Sequence, residues 1–348
     1  MRRLHVSALL EIQDLEVHFP VGGGWFSGPR AVVHAVDGVD LSVEPGEIVA
    51  VVGESGCGKT TLARSVLGLN QPTAGTIRFR GKDVRGARSA QEMRAYRRAI
   101  QMIFQDPFDS LNPRKTVLQT LAQPLRIHGI VPRSEIRAEV VRLLNLVGLS
   151  PGESYLGRYP HQFSGGQRQR ICIARAIALR PSLIVADEAV SALDISIRAQ
   201  ILALLQKLRT DLGLSYLFIT HDLGVVRSFC ERVVVMYLGH VVEEGPTEQI
   251  FERPRHPYTT ALLEACPLAD PIVARRRTSA PLTGDIPSPV RPPKACRFHT
   301  RCPMAEEICG TVAPPIVDCG NGQKSRCHFA GDLDRWPKFD FSSAKASA

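Results

Sequence analysis

The chain has 348 residues, 44% of them apolar, enough to bury one large core and a smaller appended one. No run approaches the roughly 18 apolar residues of a membrane-spanning helix, and the stretch Met1 to Leu10 is too short for a secretory signal, so the chain is expected to stay cytoplasmic. The formal net charge of +9 comes without a basic helix carrying interleaved aromatics, so no nucleic-acid partner is expected and a solvated basic surface is the simplest reading.

In chain order, Leu15 to Phe19 has a strand pattern, and Ala31 to Val43 leads into the turn Glu44-Pro45-Gly46-Glu47. Ile48 to Val52 is then a buried strand, and Leu62 to Leu67 a helix. Between them Gly53-Glu54-Ser55-Gly56-Cys57-Gly58-Lys59-Thr60-Thr61 fits G-x-x-x-x-G-K-[ST]. Glycines at Gly53, Gly56 and Gly58 let backbone N–H groups turn inward around phosphates, and the following helix adds its positive end. Lys59 is expected to reach the β and γ phosphates, and Thr60 to offer its hydroxyl to Mg²⁺. A glycine turn with no ligand is the plain alternative, and the lysine, the two threonines and both flanking elements argue against it. Cys57 lies beside a lysine and a helix N-terminus, so its thiol is expected to ionise more readily than usual and to react with thiol reagents.

Ile136, Val140, Leu143, Leu144 and Val147 recur at helical spacing and predict a helical insert between Gln105 and Ser164. The run Leu183 to Ala186 is a second buried strand, ending at Asp187 and Glu188; Ser215 to Ile219 is a third, followed by His221. Parallel sheets collect their chemistry at the C-terminal ends of their strands. Asp187 is therefore placed to hold Mg²⁺, Glu188 to act on the attacking water, and His221 to hold the γ phosphate and the water. Helix capping by the acidic pair and a structural histidine are the bland alternatives. Ile201, Leu204, Leu205, Leu208 and Leu212 form an amphipathic helix, and Val233 to Glu243 a hairpin. Frequent prolines after residue 250 mark a tail with little regular structure of its own, and the run Arg275 to Arg277 within it is expected to be solvated.

With Ser164-Gly165-Gly166-Gln167 between the glycine loop and Asp187-Glu188, the chain resembles the ATP-binding subunits of ABC transporters over nearly its whole length. The resemblance implies an α/β P-loop ABC ATPase core with a helical insert and a small C-terminal domain rich in Cys and Pro. It implies that Ser164, Gly165, Gly166 and Gln167 bind the γ phosphate of ATP held by a second ATPase subunit, so that two domains close head to tail on two nucleotides. Ser55 and Thr61 join the ATP-binding set, Gln105 matches the glutamine that touches Mg²⁺ and senses the membrane partner, and Ser191 to Asp194 matches the segment that crosses to the other site. Phe19 matches the aromatic that stacks on adenine, with Trp25 and Phe26 as rivals. Ala189 stands where the family usually has proline, which alters no catalytic group.

Gln105 to Pro113, Val190 to Ile197, His256-Pro257-Tyr258-Thr259 and the cysteine-bearing tail resemble, within that family, the second ATPase subunit of oligopeptide and dipeptide permeases. The implied partners are a different, related ATPase chain, two membrane-spanning permease subunits and an extracytoplasmic peptide-binding protein, with this chain on the cytoplasmic face of the membrane. An importer ATPase for nickel or another solute, a non-transport ABC ATPase acting on nucleic acid, and a regulatory module with a dead site are the alternatives. The expected divisions are an ATP-binding core over 1–92 and 166–250, a helical subdomain over 93–165, and the tail over 251–348.

Five of the nine cysteines fall after residue 295, and in a chain kept from oxidising compartments they point to a metal or cluster rather than to disulfides. The spacing C-x5-C-x6-C-x17-C is not a zinc knuckle and decides little by itself. The permease resemblance implies a [4Fe–4S] cluster on Cys296, Cys302, Cys309 and Cys327, with Cys319 extra. Zinc on three cysteines with His299 or His328, and free buried thiols, are the alternatives. Such a group would act as a folding staple in a tail with few apolar residues.

Overall fold

The computed structural model describes residues 8–22, 31–84, 89–265 and 284–332. β1 (Leu10–Val21) and β2 (Ala31–Val43) pair antiparallel, with Leu10, Ile12, Leu15 and Val17 buried on one face of β1. β3 (Ile48–Val52) is buried at every position, and α1 (Lys59–Val66) starts directly after the glycine loop. β4 (Ala74–Phe79) pairs antiparallel with β1, and the short β5 (Lys82–Asp83) completes a four-stranded sheet of order β2-β1-β4-β5.

α2 (Ala90–Ala99) opens with a Ser89/Glu92 capping box and runs straight into β6 (Ile100–Ile103). The span 93–165, read as a helical subdomain, includes β6, which is the edge strand of the main sheet and parallel to β7 (Leu183–Asp187). Four residues with no turn before them carry too little periodicity to separate from the preceding helix. The helical insert proper follows: the single turn α3 (Pro107–Ser110), then α4 (Val117–His128), α5 (Ile136–Leu146) and α6 (Gly165–Ile177). α4 ends at Gly129 in the left-handed conformation that glycine tolerates best. Leu121, Leu125, Val140, Leu143, Leu144 and Ile171 bury their side chains in one continuous core with the main sheet.

After β7 come α7 (Ile195–Leu212), β8 (Ser215–Ile219), α8 (Leu223–Phe229), β9 (Arg232–Tyr237) and β10 (His240–Pro246), then α9 (Thr247–Glu252) and α10 (Pro257–Glu264). The strands β9-β3-β8-β7-β6 are parallel, and β10 turns back antiparallel on β9. Both faces of the parallel part are buried, which is why its strands read as unbroken apolar runs. Val49, Val51, Leu183 and Val185 face α1 and the β1 sheet. Ile48, Ala50, Ile184 and Ala186 face the helical side.

The tail departs from the expectation of an appended domain with little structure. β11 (Val317–Gly320) and β12 (Gln323–Ser325) extend the main sheet, with β12 antiparallel to β10 at Glu243↔Ser325. Phe298 belongs to the main core, and Cys296 and Cys302 pack against it. The described tail is therefore folded onto the ATPase body. Trp25, Phe26 and the run Arg275 to Arg277 lie outside the described residues.

Candidate active site

The loops after β3, β6, β7 and β8 meet at one end of the parallel sheet, and they carry Lys59, Gln105, Asp187-Glu188 and His221. Gly58 is the N-cap of α1 at φ 108°, a conformation an L side chain rarely takes, and a Cβ there would run into the Ala35 carbonyl oxygen. The loop can thus lie tight against β2. Lys59 is buried, and its Nζ donates to the carbonyls of Gly53 at 2.7 Å and Glu54 at 2.9 Å, so the ammonium is held inside its own loop.

Asp187 is buried at the end of β7. Loss of solvent and the adjacent Glu188 charge push its carboxyl above the usual range, opposed by a hydrogen bond with Thr60 and by Lys59. A carboxylate and a hydroxyl meeting in a place that disfavours negative charge are the oxygen donors a Mg²⁺ ion takes, and the ion's charge would offset that cost. Thr60 and Asp187 therefore have the chemistry to take the ion.

Glu188 has φ 47°, an uncommon backbone state for glutamate, and its N–H donates to the Ile219 carbonyl at 2.9 Å. Its two carboxylate oxygens are shared: Gln105 Nε2 donates to Oε2 at 3.0 Å, and His221 Nδ1 lies at hydrogen-bond distance from Oε1, 3.2 Å. Each oxygen keeps a lone pair for a water. Glu188 is four-fifths buried and His221 mostly exposed.

Ser164 is the N-cap of α6. Its Oγ accepts from Gln167 N, and Gln167 Oε1 accepts from Ser164 N at 3.1 Å, a reciprocal capping box that leaves the amides of Gly165 and Gly166 at the positive end of a thirteen-residue helix. This segment is not in hydrogen-bond contact with the Lys59 loop. A Cβ on Gly166 would stand 2.6 Å from Ile197 Cγ2, so glycine is what lets α6 lie against the start of α7. Phe19 lies near the end of the β1 strand, two residues before its last residue Val21, and is 39% exposed, available for stacking.

Cys57 does not behave as expected. It is buried, and desolvation raises its thiol above the ordinary value despite the opposing Lys59 charge.

Sequence reading missed several residues that hold this site. Gln169, fully buried on α6, donates to the Ala189 carbonyl at 2.6 Å and ties the serine-glycine helix to the chain just after Glu188. Arg198 pairs with Asp222, the N-cap of α8 next to His221, and also donates to Leu193 O at 3.3 Å. Two further ones, Tyr258 and Arg301, bond to Glu54 in the glycine loop. Tyr258 lies in the His256 to Thr259 stretch noted above, but local spacing does not reveal its bond to the loop, and the other three sit in no motif.

The four cysteines Cys296, Cys302, Cys309 and Cys327 line one small pocket with Phe298, Met304 and Phe329. All four are free thiols, and Cys319 is not among the lining residues. Burial pushes Cys302 up to about 12 and Cys327 to about 11, with the neighbouring sulfurs adding to the rise. His299 and His328 also line the pocket, each with a ring nitrogen engaged by a backbone carbonyl, Cys296 O at 2.7 Å and Val312 O at 3.0 Å.

A glycine loop, a strand-end acidic pair and a histidine around a parallel sheet, with a separate serine-glycine helix start, are the arrangement of an ATP-binding cassette. The profile described as "ABC transporter" matches residues 36–191, and "Oligopeptide/dipeptide transporter, C-terminal region" matches 242–309. The chain is 50% identical to the oligopeptide transport ATP-binding protein OppF of Escherichia coli over 88% of this chain and 92% of that one. It is 49% identical to a probable peptide ABC transporter ATP-binding protein, y4tS, of Sinorhizobium fredii over 92% and 90% respectively. Against the dipeptide transport ATP-binding protein DppF of Escherichia coli, identity is 46% over 95% and 96%. Among solved structures, the ATP-binding cassette MJ0796 in a dimeric post-hydrolysis state with ADP and Pi is similar at TM-score 0.59 and 29% identity, covering 68% of this chain and 98% of that one. The chain belongs to the family of ABC transporter ATP-binding proteins. Among the described residues no helix is long and apolar enough to cross a membrane.

Proposed function

We propose that this chain hydrolyses ATP to drive import of oligopeptides or dipeptides by a membrane ABC complex, lying at the cytoplasmic face beside a second ATPase subunit and two permease subunits. The observation that carries the reading is that the nucleotide residues and the oligopeptide/dipeptide C-terminal region form one folded body, similar over its length to OppF and DppF. An extracytoplasmic peptide-binding protein would supply the cargo.

Hydrolysis needs positioning and charge neutralisation more than covalent chemistry. The loop amides and Lys59 take the phosphate oxygens. Thr60, Gln105 and Asp187 would hold Mg²⁺, whose charge neutralises the phosphates when it is bound. Glu188 orients the attacking water and accepts its proton, while His221 and Gln105 fix the carboxylate. Ser164, Gly165, Gly166 and Gln167 lie outside this set, and we assign them to the γ phosphate of the nucleotide in the partner ATPase.

For the cysteine pocket we infer a [4Fe–4S] cluster on Cys296, Cys302, Cys309 and Cys327. Four thiols in a largely apolar pocket, all but Cys319 of the tail set, fit a cluster. The bound group would cross-link the tail.

The test is reconstitution with the permease and partner subunits in vesicles, with phosphate release measured on adding peptide-loaded binding protein. Stimulation by peptide supports the reading; stimulation by a nickel chelate or by nucleic acid instead overturns the cargo. Anaerobic iron, sulfide and zinc analysis of the wild type and of Cys302→Ser tests the cluster, with about four irons per chain expected, lost in the variant.

A further inference from the structure

The glycine loop is gripped from behind by two residues of the C-terminal region, and both grips close on Glu54. Arg301 forms a two-pronged ion pair with the Glu54 carboxylate, Nη1 to Oε2 at 2.7 Å and Nη2 to Oε1 at 3.0 Å. The Glu54 backbone N–H donates to the Tyr258 hydroxyl at 2.7 Å. The Arg301 side chain is 6% exposed, so the pair is little screened by water.

Each partner is itself fixed. Tyr258 sits in the first turn of α10, where His256 is the N-cap and accepts from Tyr258 N at 3.1 Å, with Pro257 at the first helical position. Its ring packs against both Tyr237 and Phe298, at centroid distances of 4.7 and 5.5 Å. Arg301 ends a short turn that begins at Cys296: His299 N donates to Cys296 O, Arg301 N to Phe298 O and Cys302 N to His299 O. The arginine thus stands on the turn between two of the four pocket cysteines.

The geometry points to Arg301 and Tyr258 as positioning residues for ATP: through Glu54 they hold the phosphate-binding loop in its receptive shape, and the cysteine pocket holds Arg301. Lys59 gives the connection its route, because its ammonium is anchored on the Glu54 and Gly53 carbonyls. Moving Glu54 moves the lysine. Arg301 and Tyr258 both bond to Glu54, so they would act on affinity through the loop.

The inference rests on Gly53 to Thr61 being the ATP loop, and the experiment separates the two. ATP dissociation constants, KM and kcat are measured on the assembled complex for Arg301→Ala, Arg301→Lys, Tyr258→Phe, Glu54→Gln, Lys59→Ala and the double variant Glu54→Gln/Arg301→Ala, with circular dichroism to confirm folding. Arg301→Ala is expected to weaken ATP binding about tenfold, in the range of ordinary coupling between sites, with KM moving more than kcat. Tyr258→Phe, which keeps the packing, is expected to weaken it several-fold, and Arg301→Lys to recover only part of the loss, since an ammonium lacks the two-pronged fit. The double variant should be no worse than Arg301→Ala alone. If the two losses add in full, or if Arg301→Ala and Tyr258→Phe both bind ATP normally while Lys59→Ala does not, the coupling is wrong. If Lys59→Ala also binds normally, the loop assignment itself fails.

Discussion

Glu188 and His221, 33 residues apart in the chain, meet at 3.2 Å at the ends of neighbouring parallel strands, and Gln105 closes on the other oxygen of the same carboxylate. The Glu188 carboxylate is thereby held from both sides. Its left-handed backbone, secured by the bond from Glu188 N to Ile219 O, aims the side chain across the strand ends.

Replacing Glu188 by Gln keeps the shape and removes the proton acceptor. Steady-state phosphate release should fall by roughly 10²-fold or more, with ATP still bound in a filter or dialysis assay. A normal rate would remove Glu188 from the base role.

Gly166 tests the packing of α6 on α7. Gly166→Val puts methyl groups into Ile197, whose Cγ2 already stands 2.6 Å from the Cβ position, and should destabilise by about 1–3 kcal/mol in denaturant titration. Ile197→Ala in the same chain should restore much of that stability. Hydrolysis by the single variant should fall too, because the serine-glycine amides ride on this helix.

Cys57 should resist alkylation at neutral pH with or without ATP, since burial both hides the sulfur and holds back its ionisation. Mass spectrometry of the 50–65 region after brief reagent exposure checks this; rapid ATP-sensitive labelling would contradict it.

Glu243 supplies a pH dependence. It is fully buried, accepting from Arg255 N at 2.6 Å and Gln323 Nε2 at 2.7 Å, and desolvation raises it from 4.5 to about 7. The folded state then holds a proton that the unfolded chain has released, so this group's stabilisation is complete below about 4.5 and is lost as pH rises to about 7. Glu243→Gln should flatten the decline of stability across that window. An unchanged pH profile of the denaturation midpoint would show that Glu243 is already ionised when folded.

The strands Ile48–Val52 and Ser215–Ile219 were readable because burial on both faces makes them continuous apolar runs bounded by loops. So were Lys59, Asp187, Glu188 and His221, each a fixed step beyond such a run. β11 and β12 were not: they are short and carry Asp318 and Lys324 on the exposed side, so no periodicity marks them. Arg301 and Glu54 are 247 residues apart, and Gln169 and Ala189 are joined only by the fold. Local pattern finds the candidate groups at the strand ends; the residues that hold them in place depend on chain topology.

β12 covers the open side of β10, and its position in the chain gives this an order in time. Residues 317–325 leave the ribosome after every residue of the nucleotide site has been made. Until then the β10 edge offers unsatisfied backbone groups to any passing strand, including that of another nascent copy. Translation of the β11–β12 hairpin pairs Glu243 and Glu244 of that edge and moves the edge out to the short β11, so an interrupted chain would be released with its ATP residues complete and β10 uncovered.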